Sequence, residues 1–296
     1  MAETQKRARL KLVKMKDVKF DPAIFKPMRT KTPVDYMFSS EGGFYPATNY
    51  MLVGDPGIGK STFGLDIIAD VQKHSRGKKK VLFISGEMNQ IDMHGYVKRY
   101  PKFKNIETLF LCDYLDSNPK DIIERTFKLG WDLVLIDSFI EVQEAVQASN
   151  RITRTHAEKW FIDLMVTHNK GKNRGKHYTS FLAIQQVTKG GNFVGSNKLK
   201  HNTTGMCELR YSNEFAGDRY IKFTKNRRGG AYEKLFFDLE STTGCVNYDI
   251  KRLERDEEIK KRISKEKDNM LKEEELFNMM FTRKEQTQNE ENETNQ

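Results

Sequence analysis

Cysteine is scarce in this chain. Cys112, Cys207 and Cys245 are the only three in 296 residues; the number is odd, the spacing is wide, and no C-x-x-C occurs. That usage argues against a disulfide framework and against a zinc knuckle, and it fits a reducing compartment. Long apolar runs are missing too: no stretch approaches the ~18 residues that cross a membrane. The basic N-terminal residues are not followed by an apolar segment, so no secretory signal is read. No internal repeat is evident. These absences lead us to expect a soluble, cytoplasmic protein with no zinc and no membrane partner.

Acidic residues are short where they would balance the arm. Residues 1–31 carry ten Lys/Arg against three acids, whereas residues 251–296 carry eleven against thirteen. The net charge of +10 therefore divides into +7 for the arm, −2 for the tail and +5 for the middle. A basic arm and a basic middle point to a polyanionic partner such as nucleic acid. With 37% hydrophobic and 31% charged residues, a core forms only if charge collects outside it. The expected organisation is a basic arm over 1–31, a folded domain over 32–250, and a charged helix with a disordered tail over 251–296.

Gly54-Asp55-Pro56-Gly57-Ile58-Gly59-Lys60-Ser61, followed by Thr62, fits the phosphate-loop pattern G-x-x-x-x-G-K-[ST] at every position. Glycines and a turn-setting proline let successive backbone N–H groups curl around a phosphate oxygen. Lys60 supplies charge to the β- and γ-phosphates of ATP, and the Ser61 hydroxyl suits Mg²⁺. Context agrees: Tyr50–Val53 reads as an apolar strand, and Phe63, Ile67 and Val71 repeat at helical spacing. Strand, loop and helix together also aim a helix N-terminus at the anion.

Strand and helix signals then alternate. VLFIS over 81–85 ends at Gly86-Glu87, and Ile122, Ile123 and Phe127 share a helical face. LVLI over 133–136 ends at Asp137. Thr155-x-x-Glu158 reads as a capping box ahead of Phe161, Leu164, Met165 and His168, and an apolar run over 181–184 ends at Gln185-Gln186. Such alternation implies βαβ units on a buried parallel sheet. Beyond residue 206, strand signals at 208–211, 219–224 and 234–239 without helices suggest an antiparallel extension. Residues 34–48 read as a polar lead-in loop. In the tail we expect helix to about Met280.

Ligands of open α/β sheets bind at the carboxyl ends of strands, which gathers Lys60, Ser61, Glu87, Asp137 and Gln185 or Gln186. Asp137 is the candidate metal acid, and Glu87 the candidate base for the attacking water. A glutamine amide can donate to a phosphate and accept from water without changing charge. In Lys225-Asn226-Arg227-Arg228-Gly229 the cations at i and i+2 point the same way. Since Lys60 already serves the subunit's own nucleotide, Lys225 and Arg227 suit a neighbour's, which predicts a ring or filament.

Taken in order, GDPGIGKST, FISGE, LVLIDS, QQVTKGG with GSNKLKH, and KNRRG with LFFDL resemble the RadA/Sms branch of the RecA-like ATPases over about residues 28–249. The K-x-R-x-G string is also similar to the finger loop of DnaB-type helicases. The resemblance implies a RecA-like P-loop NTPase fold, a mostly parallel sheet flanked by helices with an antiparallel C-terminal extension. It further implies an ATP-driven DNA motor of recombination, repair or branch migration, a homo-oligomeric ring (usually a hexamer) on single-stranded or branched DNA. By position it assigns Lys60 and Ser61 to phosphate and Mg²⁺, Asp137 to the metal, Glu87 to the water and Gln186 to γ-phosphate sensing. Lys225 and Arg227 go to the adjoining nucleotide. Two mobile DNA-facing loops are implied, 139–156 with Arg151 and Arg154, and 188–203 with Lys189, Lys198 and Lys200.

The departures from that family are specific. No four-cysteine zinc finger precedes the ATPase region, and too few residues follow 250 for a Lon-like domain. Gln-Gln stands where Gly-His is typical, and Arg228 where an aromatic is common. Residues 170–178 (KGKNRGKHY) read as a basic insertion. Two alternatives stay open: a DnaB-like replicative helicase core, and a KaiC-like regulatory ATPase that ignores DNA.

Overall fold

The computed structural model describes residues 12–186, 197–213, 217–240 and 245–293. Helix α1 (Asp35–Phe38) precedes strand β1 (Asn49–Gly54), helix α2 (Lys60–His74) and strand β2 (Val81–Ser85). Helix α3 (Gln90–Arg99), strand β3 (Glu107–Phe110), helix α4 (Pro119–Lys128) and strand β4 (Leu133–Asp137) follow. Helices α5 (Phe139–Asn150) and α6 (Arg154–Asn169) lead to strand β5 (Ser180–Gln186) and helix α7 (Asn197–Asn202). Strands β6 (Gly205–Asn213), β7 (Asp218–Asn226), β8 (Lys234–Glu240) and β9 (Cys245–Tyr248) complete the sheet before helix α8 (Ile250–Glu293). By contact density residues 1–247 form one unit and 248–296 a second.

The nine strands lie in the order β3-β2-β4-β5-β1-β6-β7-β8-β9. From β3 to β6 the pairs are parallel; β6–β7 and β7–β8 are antiparallel. The expected class is thus observed, with the turn to antiparallel pairing at β6. Parallel strands are covered on both faces, so they read as unbroken apolar runs rather than alternating ones. β1, β2 and β4 accordingly have every residue buried. One face, carrying Val53, Ile84, Ile136 and Phe181, packs with Phe127 of α4, Phe139 of α5 and Phe161 of α6. On α2, Phe63, Ile67 and Val71 are buried as their spacing predicts.

Several boundaries differ from the sequence reading, each for a local reason. Residues 34–48 are not a polar loop: Val34, Met37, Phe38 and Phe44 are all fully buried. Asp35 folds the segment by accepting from the backbone N–H groups of Thr30 (2.9 Å) and Lys31 (2.9 Å). Phe38 then meets Phe44, Tyr50 and Phe223 at ring separations of 3.9, 4.9 and 5.2 Å. The cap of α6 is Thr153, which accepts from the His156 N–H, and not Thr155. Residues 139–150, read as part of a mobile loop, form helix α5 because Phe139, Val142 and Val146 fall on one face and bury there.

Helix α8 continues through Glu293 instead of ending near Met280. Residues 281–293 contain no glycine or proline and are rich in Glu, Gln, Lys and Arg, all good helix formers. Among the described residues no helix is long and apolar enough to cross a membrane.

Phe38→Ala should lower unfolding stability by about 3–5 kcal/mol, the usual range for a fully buried phenylalanine. Tyr36→Ala, on a half-exposed neighbour, should cost under about 1 kcal/mol. Urea melts of both variants decide whether this segment belongs to the core.

Candidate nucleotide site

Gly54 ends β1 between Gln186 of β5 and Leu209 of β6, its partners in register. Ser85 of β2 pairs with Asp137 of β4 in the same way. Parallel register therefore delivers the phosphate loop, Glu87, Asp137 and Gln186 to one edge of the sheet. A cleft of about 280 Å³ opens there, lined by the loop, Lys60, Ser61, Glu87, Asp137 and Gln186, with Tyr96 at its side.

The loop's shape depends on residues with positive φ. Gly57 has φ +76°, and Gly59, which caps α2, has φ +97°. A side chain at Gly59 would also run into Leu239 of β8. Cations from the antiparallel strands brace the loop from outside. Arg219 Nε donates to the Ile58 carbonyl at 3.1 Å while its Nη1 holds Asp238 at 3.1 Å. Arg210 lies 3.9 Å from Asp55 and 3.4 Å from Glu208. Neither arginine was legible as a loop support, since nothing in linear spacing joins residues 58 and 219.

Lys60 is buried, and its Nζ donates to the carbonyls of Gly54 (2.9 Å) and Asp55 (2.8 Å). Burial lowers its pKa, against the pull of Asp137, Glu87 and Asp55. Asp137 is 2% exposed. Burial raises its carboxyl to about 6; the Ser61 hydroxyl and Lys60 oppose that shift, and Glu87 adds to it. Its Oδ2 has no hydrogen-bond partner among the described residues.

A buried carboxylate oxygen without a partner, beside a hydroxyl, is a donor set for a hard cation. Magnesium is commonly held by one or two carboxylates plus substrate phosphates, without a full protein cage. Among the described residues no three His, Cys, Asp or Glu side chains cluster. Ser61 and Asp137 therefore fit Mg²⁺ as partial ligands.

Glu87 and Gln186 are exposed in the cleft and joined, Gln186 Nε2 donating to Glu87 Oε1 at 3.3 Å. Alternation along β5 puts Gln185 on the other face, where it is 1% exposed. The two glutamines, equivalent in sequence, are thus separated. Tyr96 escaped the sequence reading. The capping box Asn89–Asp92 that starts α3 was available as a signal, but which helix face meets the cleft was not. An aromatic ring there offers a surface on which a nucleobase stacks.

Lys225 and Arg227 are not at this site. Register pairs Asn226 with Gly205, and Gly205 with Tyr50, at the amino edge of the sheet. At about 3.3 Å per residue, Lys225 sits roughly 13 Å along β7 from Ile221, which is level with Leu209 and Gly54. Both cations reach one point. Lys225 Nζ donates to the carbonyls of Lys200 (2.7 Å) and His201 (3.2 Å), and Arg227 Nη2 to that of His201 (2.9 Å). Burial, then the charges of Arg227 and Lys200, lower the Lys225 pKa.

Arg151 and Arg154 are exposed at the α5–α6 turn, far from α7 in sequence, and Lys200 is exposed on α7. Lys198 also falls on α7. Lys189 lies outside the described residues, as does most of the loop read over 188–203.

No protein-family model matches the chain. It is 26% identical over 203 residues to the DNA repair protein RadA of Campylobacter jejuni, covering 67% of this chain and 41% of that protein. Against RadA of Streptococcus pyogenes serotype M6 it is 28% identical over 212 residues, covering 68% and 41%. The chain spans less than half the length of these relatives. Among solved structures it is similar to a KaiC-like protein of Pyrococcus horikoshii, with a TM-score of 0.54, 16% identity, and 75% of this chain and 98% of that one covered. The flagellar accessory protein FlaH of Methanocaldococcus jannaschii gives a TM-score of 0.55 at 10% identity, covering 76% and 99%. The fold is RecA-like and the chain resembles RadA.

Asp137→Asn should stabilise the protein in chelator at neutral pH, by about 1–3 kcal/mol, because it removes a buried charge. A raised carboxyl pKa means the native state holds its proton longer than the unfolded chain. Wild-type stability therefore falls as pH rises from about 4 to about 6, and the variant's advantage should fade below that window. Urea melts at acid and neutral pH measure it.

Proposed function

We propose that the chain is an ATP-dependent, DNA-binding motor ATPase of the RadA/RecA type, acting in recombination, repair or branch migration. One observation carries the reading. Lys60, Ser61, Glu87, Asp137 and Gln186 converge on one cleft, while the paired cations Lys225 and Arg227 lie at the opposite edge of the sheet. A single subunit then has the parts for phosphate binding and water activation, and offers its second cation pair only to a neighbour.

In this reading the backbone N–H groups of Gly54–Thr62 cradle the phosphates and Lys60 leaves its carbonyl partners for the β/γ oxygens. Ser61 and Asp137 would hold Mg²⁺, whose charge offsets that of the phosphates when bound. Glu87 takes the proton of the attacking water as the new oxygen–phosphorus bond forms and the bond to the β-phosphate oxygen breaks. Gln186, already hydrogen-bonded to Glu87, reports the γ-phosphate to the segment that follows β5. Lys225 and Arg227 complete the adjoining subunit's site, so the active form is a ring, a hexamer in the RadA manner. Their present hold on the carbonyls of α7 links that contact to Lys198 and Lys200. Together with Arg151, Arg154 and Lys189 these are the cations assigned to the DNA backbone.

Lys60→Ala should abolish turnover; full activity in a clean preparation removes the phosphate-loop assignment. Arg227→Ala should bind nucleotide nearly as wild type yet turn over at least about tenfold more slowly. Doping it into wild type should depress activity more than in proportion, and strict proportionality rules out the trans role. Single-stranded DNA should stimulate turnover, and the stimulation should vanish as salt rises. Indifference to DNA supports a regulatory ATPase instead.

A further inference from the structure

Residues 170–178 belong neither to the nucleotide cleft nor to the cations assigned above. They leave α6 at the amino edge of the sheet and return to the start of β5. Solubilising charge needs no fixed geometry, yet this loop has one. Asn173 Nδ2 donates to the His177 carbonyl at 2.7 Å, and Asn173 Oδ1 accepts from the His177 N–H at 2.9 Å. The Arg174 N–H donates to the Lys128 carbonyl at 3.1 Å.

His177 Nδ1 lies 3.3 Å from Asp132, a buried carboxylate that also holds Lys79 at 2.9 Å. The loop sits so close to Gly130 that a Cβ there would lie 2.8 Å from the His177 ring. These contacts hold the cationic side chains on a shaped frame rather than on a free coil.

Between this loop and the last turn of α4 lies an open cleft of about 740 Å³. Arg125, Lys128, Lys172, Arg174 and Lys176 line it, and among its described lining residues Leu129 is the one large apolar side chain and none is a carboxylate. All five cations are exposed. Arg125 pairs with Asp121 at 3.0 Å; the side chains of the other four have no ion-pair partner among the described residues.

We propose that this cleft binds the phosphodiester backbone of a nucleic acid. Protein partners are usually anchored by aromatic or apolar side chains seated in desolvated pockets, and a single half-exposed leucine provides none. Five exposed cations, of which only Arg125 is paired with an acid, instead suit a ligand whose negative charge repeats along its length. The contact is separate from the one assigned to Arg154. Helix α6 has sixteen residues and so holds its two ends about 24 Å apart. Nor does it depend on ATP turnover, since the cleft is at the edge of the sheet away from Lys60.

The test uses the full chain without nucleotide, and fluorescence anisotropy of a labelled oligothymidylate and of a labelled duplex over a salt series. The triple variant Lys172→Ala, Arg174→Ala, Lys176→Ala should bind at least one probe roughly tenfold or more weakly at low salt. The slope of log affinity against log salt should flatten by about 2, from roughly 0.7 per lost phosphate contact on a single strand. ATP turnover without DNA should be unchanged, and the charge-keeping variant Lys172→Arg, Lys176→Arg should bind as wild type. Unchanged affinity and slope on both probes overturns the proposal. Competition by polyglutamate that matches unlabelled DNA also overturns it, in favour of an acidic protein. A wild-type protein that binds DNA through this cleft but whose turnover ignores DNA would end the motor reading alone.

Discussion

Parallel backbone pairing in register is the constraint on which this molecule depends. Because β2, β4, β5 and β1 run the same way and are aligned residue for residue, whatever follows each strand emerges at a common edge. Four short segments that are distant in sequence thereby deliver a phosphate loop, a carboxylate, a buried acid and an amide to one cleft. The pairing itself is maintained by unbroken apolar strands with helices on both faces, which leaves no tolerance for a slip of register. Chemistry at the edge is a consequence of packing in the middle.

That packing supports a site that is unfavourable on its own. Lys60 and Asp137 are both withdrawn from water, and burial works against the charged form of each. Hydrogen bonds from Lys60 to two loop carbonyls offset part of this, but one oxygen of Asp137 is left with nothing among the described residues. Under the proposed function a cation and a polyphosphate would supply the missing partners. Arg219 and Arg210, reaching the loop from β7 and β6, limit how far it can relax.

The two edges of the sheet are chemically unlike. Nucleotide-type groups occupy the carboxyl edge, while Lys225, Arg227 and the insertion over 170–178 crowd cations at the amino edge. β7 connects them directly: its first residues brace the phosphate loop through Arg219, and its last residues grip the carboxyl end of α7. One strand thus carries contacts to both the phosphate loop and α7. β7 is paired on both sides, with β6 and with β8.

By itself the sequence determined the local chemistry: the phosphate loop, the helix behind it, the apolar strands, and the polar residues closing them. These are legible because helical and strand periodicity, glycine placement and short motifs act over a few residues. Aromatic burial in 34–48 was hidden, since Phe223, which covers Phe38, arrives only after β7 has returned beside β6. The same holds for Tyr96 at the cleft and for Arg219 beneath Ile58. Which edge Lys225 and Arg227 occupy was likewise undecided until the sheet's order was known. Pairing between strands far apart in sequence sets those positions, and no linear pattern encodes a distance through space.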